Sequence, residues 1–399
     1  MIQFPAPERQ SRVDWLMIAS LGGLMVIGAL FVYSATMASD SAALTAWYNQ
    51  AWVRQIAWYL VGSCAMVALC LVDYRILARW SMVAYVVTIL LLIAVPIIGV
   101  DRFGARRWID LGVFQFQPSE FAKLSFILTM GNFLSRPLDE LKSMKVFWQA
   151  IGMVALPFLL IMKEPDLGSA LILLPVGLTM LFVAGVPPRY LATLVGGAAL
   201  LVVLILVDVL FAPPAWQIKL EDYQKRRLLV YFGMDGAPQN ATPAQKAEAR
   251  RKQRNDSYNV DQALISVGSG GLAGKGWREG TQNALGYLPR AVAHNDFIFS
   301  VIAEEKGFMG SLTVVMLYSV LLFTGIRTAG QARDRLGKLL AVGVVAMLFS
   351  HVFINIGMNI RLMPVTGVPL PLLSYGGSSV LCSLIAAGIL QNVCIHRRS

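Results

Sequence analysis

Ten stretches of this chain are long and apolar enough to cross a bilayer, and no other feature constrains the fold as strongly. They run over 15–36, 54–72, 80–100, 118–135, 147–163, 167–186, 190–212, 297–326, 338–357 and 377–395. A helix needs roughly 20 mostly apolar residues to cross ~30 Å of hydrocarbon. Composition agrees: 56% of the residues are hydrophobic and 14% charged, against about 45–50% and about 25% in soluble domains. Mean hydropathy is +0.61. The expected fold is an all-α polytopic membrane protein of about ten transmembrane helices. It forms one transmembrane domain over 1–399, with a large extracytoplasmic loop, 213–295, inserted between helices 7 and 8.

The first stretch follows Arg9 and Arg12, and Ala35-Thr36-Met37-Ala38 faintly resembles a signal-peptidase site. Its apolar run exceeds the about 7–15 residues of a cleaved signal, so a retained anchor is expected. Basic residues set the orientation. With the N-terminus cytoplasmic, the inner segments carry Arg75, Arg79, Arg136, Lys142, Lys145, Arg189, Arg327, Arg333, Arg335, Lys338, Arg397 and Arg398 besides the two N-terminal arginines. The short outer segments carry fewer: Arg54, Arg102, Arg106, Arg107, Lys163 and Arg361. Both termini are therefore expected inside. The net charge of +11 is spread over many short loops, facing anionic headgroups, and forms no stripe that would bind nucleic acid. Cys64, Cys70, Cys382 and Cys394 lie in apolar stretches as small core residues, and His294, His351 and His396 lack any zinc spacing.

The 213–295 loop is the one sizeable polar insertion. Its middle, 233–256, holds Pro238, Asn240, Pro243 and a charged run from Lys246 to Arg254, and a mobile excursion with a short exposed helix is expected there.

Polar residues at membrane depth are costly and mark functional sites by default. Four clusters stand out. The first runs from Gly104-Ala105-Arg106-Arg107-Trp108 through a short strand over Val113 to Gln117 into Pro118-Ser119-Glu120, with Lys123 on the same helix face as Glu120. The alternative reading is an i,i+3 ion pair plus a helix-start signal. The second, Lys163-Glu164-Pro165-Asp166-Leu167-Gly168, also reads as a tight turn whose acids begin a helix. The third spans Gly268-Ser269-Gly270-Gly271 and Gly274-Lys275-Gly276, then Gln282 and His294-Asn295-Asp296-Phe297-Ile298-Phe299. Its glycines mimic nucleotide-binding loops, but no buried strand precedes them and Gly276 stands where a P-loop has Ser or Thr. Asp296 could alternatively be a helix cap. The fourth, from Asn355 and Asn359 through Arg361 and Pro364–Pro371 to Ser374-Tyr375-Gly376-Gly377-Ser378-Ser379, is rich in Pro and Gly, which implies irregular backbone lining a protein-walled cavity.

The orientation rests on the excess of basic residues in the inner segments, none of which lies in these motifs, and it puts all four on the non-cytoplasmic side. One outward-facing cavity with carboxylates, cations and hydroxyls beside lipid suits an amphiphile with an anionic headgroup and a lipid tail.

In this order, the motifs Gly-Ala-x-Arg-Trp, Gln-Pro-Ser-Glu-x-x-Lys, Pro-Asp-Leu-Gly, Gly-Ser-Gly-Gly-x-x-Gly-Lys-Gly, Asp-Phe-Ile-Phe and Ser-Tyr-Gly-Gly-Ser-Ser resemble those of the SEDS family, the bacterial proteins of shape, elongation, division and sporulation. The resemblance spans nearly the whole chain. Pro364-Val365-Thr366-Gly367-Val368-Pro369-Leu370-Pro371 is similar to the elongation branch rather than the division branch. It departs from the family where Arg290-Ala291-Val292-Ala293 lengthens the approach to His294-Asn295-Asp296. The resemblance implies an inner-membrane peptidoglycan glycosyltransferase that polymerises lipid II with inversion, beside a class B penicillin-binding protein. It also implies that Asp296 is the essential residue. The expected roles are Asp296 as base, Arg107, Lys123 and Arg361 on phosphate, and Glu120 and Asp166 orienting those cations or holding a divalent ion, Mg2+ or Mn2+. Gln282, Ser374 and Ser379 complete the substrate-binding set. A flippase of the same precursor, a septal polymerase and a non-enzymatic scaffold are the rival readings.

Overall fold

The computed structural model describes residues 13–37, 46–102, 105–110, 112, 115–211, 222–234, 243–288 and 290–397. The helices are α1 Trp15–Met37, α2 Ala51–Cys70, α3 Tyr74–Arg79, α4 Ser81–Ile98, α5 Pro118–Leu134, α6 Leu138–Leu141, α7 Met144–Lys163, α8 Leu167–Ala184, α9 Pro188–Phe211, α10 Asp222–Phe232, α11 Pro243–Ser269, α12 Thr281–Ala284, α13 Arg290–Ala293, α14 Ile298–Gln331, α15 Arg335–Asn359 and α16 Gly377–His396. Strands β1 Val100–Arg102, β2 Ala105–Asp110 and β3 Gln115–Phe116 form a small antiparallel sheet in the order β1-β2-β3. Of the strand expected over 113–117, residues 115–116 are extended and 113–114 lie outside the described residues.

Nine of these helices, among the described residues, are long and apolar enough to cross a membrane. The tenth expected span is α5, whose 17 residues cover about 25 Å, less than the hydrocarbon thickness. Protein rather than lipid surrounds it: α5 packs against α4, α8 and α15. It can therefore carry polar side chains that bond between helices. Thr88 Oγ1 and Ser125 Oγ are 2.7 Å apart, and Thr129 Oγ1 donates to Ser81 O at 2.9 Å.

The core centres on α15 and α16, with α16 packed along α2. A Cβ on Gly62 would lie 2.5 Å from Leu384 Cδ1, so glycine permits this close approach. In contrast, α9 is apolar all round and largely exposed, with Leu200 to Leu204 all open, as expected of a lipid-facing helix. The other end of the bundle is tied by Arg327–Asp14 at 2.6 Å and Tyr74–Asp334 at 2.5 Å. There the Asn392 amide donates to Leu69 O and Val72 O and accepts from Tyr74 N.

The polar insertion differs from the expected excursion with a short exposed helix. Its helix α11 is 27 residues long and packs on α14 and α15. The reason lies in a narrow stripe: Val260, Ala263 and Ser266 recur at helical spacing and are buried, while Arg250, Arg251 and Arg254 remain exposed. Residues 235–242 lie outside the described residues.

Candidate active site

Four helix ends meet at one end of the bundle. At the α7–α8 junction Asp166 caps α8, its Oδ1 accepting from Ser169 N at 3.2 Å. Its Oδ2 accepts from Gln117 Nε2 at 3.1 Å and Ser119 Oγ at 3.0 Å, which draws the start of α5 onto the start of α8. Pro118 at the first helical position fixes that entry. Arg107, on β2, reaches the same junction and donates to Pro165 O.

Asp296 lies at the start of α14. The cap position belongs to Phe297, with no side-chain cap bond, so the capping alternative for Asp296 does not hold. Instead its backbone carbonyl is gripped by α15: Asn355 Nδ2 donates to it at 3.0 Å and Asn359 Nδ2 at 3.2 Å. Asn355 also donates to Val368 O at 2.7 Å, and Asn359 Oδ1 accepts from Ser300 Oγ at 2.6 Å. The Asp296 carboxylate passes Gly367, where a Cβ would stand 3.5 Å from Oδ2. Arg227, from α10, donates to Thr366 O at 3.4 Å. Burial pushes the Asp296 carboxyl up to about 6, against the lowering charges of Arg227 and Arg107 and with a smaller push from Asp166. One carboxylate thus feels guanidinium groups from two elements and a second carboxylate.

Beside it, Glu164 is 1% exposed and neither carboxyl oxygen has a partner among the described residues. Burial, then the Asp166 charge, pushes it up to about 9, with Arg107 pulling the other way.

Several residues expected on phosphate or substrate make hydrogen bonds within the protein. Lys123 is turned into the bundle at 1% exposure, 2.6 Å from Glu120 Oε1 and 2.9 Å from His351 Nε2. An ammonium has no acceptor, so Nε2 accepts, and Nδ1 carries the proton toward Pro369 O at 3.2 Å. Glu120 and Lys123 thus form the i,i+3 ion pair, as a buried charge must be paired. Arg361, at φ +59°, binds Asp261 Oδ1 at 3.0 Å and Val230 O at 3.5 Å, fastening the polar insertion to α15 instead of facing phosphate. Ser374 is a brace, its Oγ donating to Asn295 O at 2.6 Å and accepting from Leu370 N at 2.8 Å. Ser379 is buried, and its neighbour Ser378 makes the link to the sheet, accepting from Gln117 N at 3.1 Å and donating to Gln115 O at 3.1 Å.

Gln282 lies with the glycine-rich segment, which clasps a break in α14. At Gly307 (φ 62°, ψ −156°) the helix leaves backbone groups unpaired, and the segment supplies their partners. Lys275 N and Gly276 N donate to Glu304 O and Glu305 O at 3.0 and 3.1 Å, and Phe308 N and Met309 N donate to Gly271 O and Leu272 O at 2.9 and 3.1 Å. Only glycine fits at 274, where φ is +83° and a Cβ would lie 2.2 Å from Glu305 O. Glu304 Oε1 accepts from Lys275 Nζ at 2.7 Å, Thr281 Oγ1 at 3.1 Å and Gln282 N at 3.0 Å, while Ser34 Oγ donates to Glu305 Oε1 at 2.5 Å. Gln282 takes part in this clasp through its backbone N–H.

Among the described residues no three His, Cys, Asp or Glu side chains converge on one point. Asp166 already accepts three hydrogen bonds, so the donor set does not fit the expected divalent ion. Sequence reasoning missed two charged residues of the site. Glu164 had a signal, as an acid beside Pro-Asp at the end of an apolar span. Arg227 had none, being one of several basic residues on a polar helix.

Comparison with known proteins places this geometry. The family model FTSW_RODA_SPOVE, described as cell cycle protein, matches residues 14–399. The peptidoglycan glycosyltransferase MrdB of Escherichia coli (strain K12) is 36% identical over 375 residues, covering 94% of this chain and 93% of that protein. The fold is similar to a chain of a peptidoglycan synthase complex that coordinates polymerization and crosslinking, with TM-score 0.75, 26% identity and coverage of 97% and 99%. It is also similar to the rod shape determining protein RodA of Thermus thermophilus, with TM-score 0.65, 26% identity and coverage of 97% and 98%. With the expected motifs gathered at one end of a polytopic helical bundle, and a family match from the first span to the C-terminus, this chain belongs to the SEDS family of FtsW, RodA and SpoVE.

Proposed function

We propose that this chain is a peptidoglycan glycosyltransferase that polymerises lipid II during cell elongation, with its active site on the outer face of the bacterial inner membrane and both termini in the cytoplasm. The observation that carries the reading is the Asp296 carboxylate, half-buried and under the charge of Arg107 and Arg227. Its raised proton affinity suits a general base working near neutral pH. In the reaction, Asp296 takes the proton of the acceptor sugar hydroxyl as that oxygen attacks the donor's anomeric carbon from the face opposite the pyrophosphate. The carbon–oxygen bond to the leaving pyrophosphate breaks, its electron pair stays on phosphate, and the configuration inverts. Arg107 and Arg227 stabilise that developing charge in a poorly hydrated cavity.

The grip of Asn355 and Asn359 on the Asp296 carbonyl supports this role, because it fixes the base without occupying its carboxylate. A flippase would need polar groups available along the membrane depth. Glu304 and Glu305, the acids of α14 that suggested such a path, are tied to the glycine-rich segment and to Ser34. A class B penicillin-binding protein is the proposed partner, in keeping with the crosslinking activity of the synthase complex that this chain resembles. The test is purified full-length protein incubated with lipid II and scored for glycan strands. Strands are expected, and translocation of lipid II across vesicles without polymer would overturn the assignment.

A further inference from the structure

Beside the α7–α8 turn, a carboxyl group and one guanidinium nitrogen lie buried without a hydrogen-bond partner among the described residues. Among the described residues, both oxygens of Glu164 are buried without a hydrogen bond, and so is the Nε–H of Arg107, although the same guanidinium donates to Pro165 O within that turn. Buried polar groups left unmatched are rare and costly, so the coincidence of Glu164 on the turn and the Arg107 Nε–H on the adjoining strand points to a ligand that binds both. Asp166, the other acid of the turn, is already satisfied by Gln117, Ser119 and Ser169. The charges of Arg107 and Asp166 both act on Asp296, so the turn lies within electrostatic reach of the base.

Resting on the polymerase reading above, we propose that Glu164 and Arg107 form a phosphate subsite, the acid donating its O–H and the guanidinium its Nε–H to the pyrophosphate of the donor substrate. The charged groups acting on Glu164 are Asp166 from the N-terminus of α8 and Arg107 from β2. Burial and Asp166 keep the carboxyl protonated, up to about 9, and a protonated carboxyl is a hydrogen-bond donor. An anionic phosphate oxygen supplies the acceptor that both groups lack. When the glycosidic carbon–oxygen bond breaks, the electron pair goes to phosphate. Glu164 keeps its proton and shares it in a hydrogen bond that strengthens as the charge develops.

The test uses full-length protein in detergent, with Glu164→Gln, which keeps a neutral donor, and Glu164→Leu, which has none. Inorganic pyrophosphate and a polyprenyl pyrophosphate should raise the melting temperature of wild type and Glu164→Gln. Glu164→Leu should need roughly tenfold more of either, and phosphatidylglycerol should protect none. In polymerisation, Glu164→Leu should lose kcat by about ten- to a hundredfold, with Glu164→Gln rescuing most of it. Wild-type activity should fall above pH about 9, and that fall should vanish in Glu164→Gln. If the leucine variant does not fold, the alkaline limb of the glutamine variant decides. Wild-type pyrophosphate affinity in a folded Glu164→Leu protein, protection by phosphatidylglycerol alone, or an unchanged alkaline limb overturns the subsite. Pyrophosphate binding through Glu164 in a wild-type protein that makes no glycan would support the subsite and overturn only the polymerase reading.

Discussion

Replacing Asp296 by asparagine should separate activity from stability in opposite directions. The structure holds residue 296 by its carbonyl, through Asn355 and Asn359, so the amide leaves those bonds in place. Loss of a general base costs roughly 10²–10⁴ in rate, and glycan output should fall by at least that range. Stability should respond the other way. Burial raises the carboxyl from 3.8 to about 6, so at neutral pH the fold carries an ionised group it disfavours by roughly 3 kcal/mol. The sign follows from linkage. The unfolded chain ionises near 3.8 and the folded one near 6, so the penalty is absent below 3.8, grows between these values and is complete above 6. Wild-type protein should therefore lose melting temperature from this group across that window, and Asp296→Asn should not. At pH 7 the variant should melt no lower than wild type. Activity of wild type should fall about tenfold for each pH unit below 6, because the base must be deprotonated. The assay is lipid II polymerisation with parallel thermal unfolding in detergent. Substantial polymer from folded Asp296→Asn protein, or a markedly lower melting temperature, would refute the reasoning and move the search for the base to Asp166.

Asn355→Leu orphans Val368 O, which should cost about 1–3 kcal/mol of stability, and leaves Asp296 O with Asn359 alone, so polymerisation should fall even in protein that remains folded. Differential scanning and polymer yield measured together check this, and a neutral variant would show that the α15 amides do not position the base. For orientation, cysteine at the exposed Ala284 should react with an impermeant thiol reagent added outside intact cells, and cysteine at the exposed Arg333 should not. Swapped labelling would reverse the membrane topology.

Much of this protein is written locally. A bilayer demands about 20 apolar residues per helix, so the spans show as runs, and helices such as α4, α7 and α8 start or end within a few residues of their expected limits. The four motif clusters are legible for the same reason, since polar, Pro and Gly residues are conspicuous against such runs. That the clusters share one membrane side also follows from charge and chain order alone.

Partnership across the bundle is not local, and only the tertiary structure decides it. Lys123 offers the same ammonium to a phosphate or to Glu120 and His351, and the choice depends on α15 closing over α5 to exclude water. The glycines of 268–276 carry the signature of a phosphate loop, but the break at Gly307 lies about thirty residues further on, and what the loop completes is a helix backbone. Arg227 reaches the base because α10 docks beside the 366–368 segment, a contact between residues far apart in the chain that no periodicity records. Apolar patterning is a property of neighbours in sequence. Charge pairing and proton affinity are properties of neighbours in space, because burial sets what each ionised group costs and which partner remains within reach.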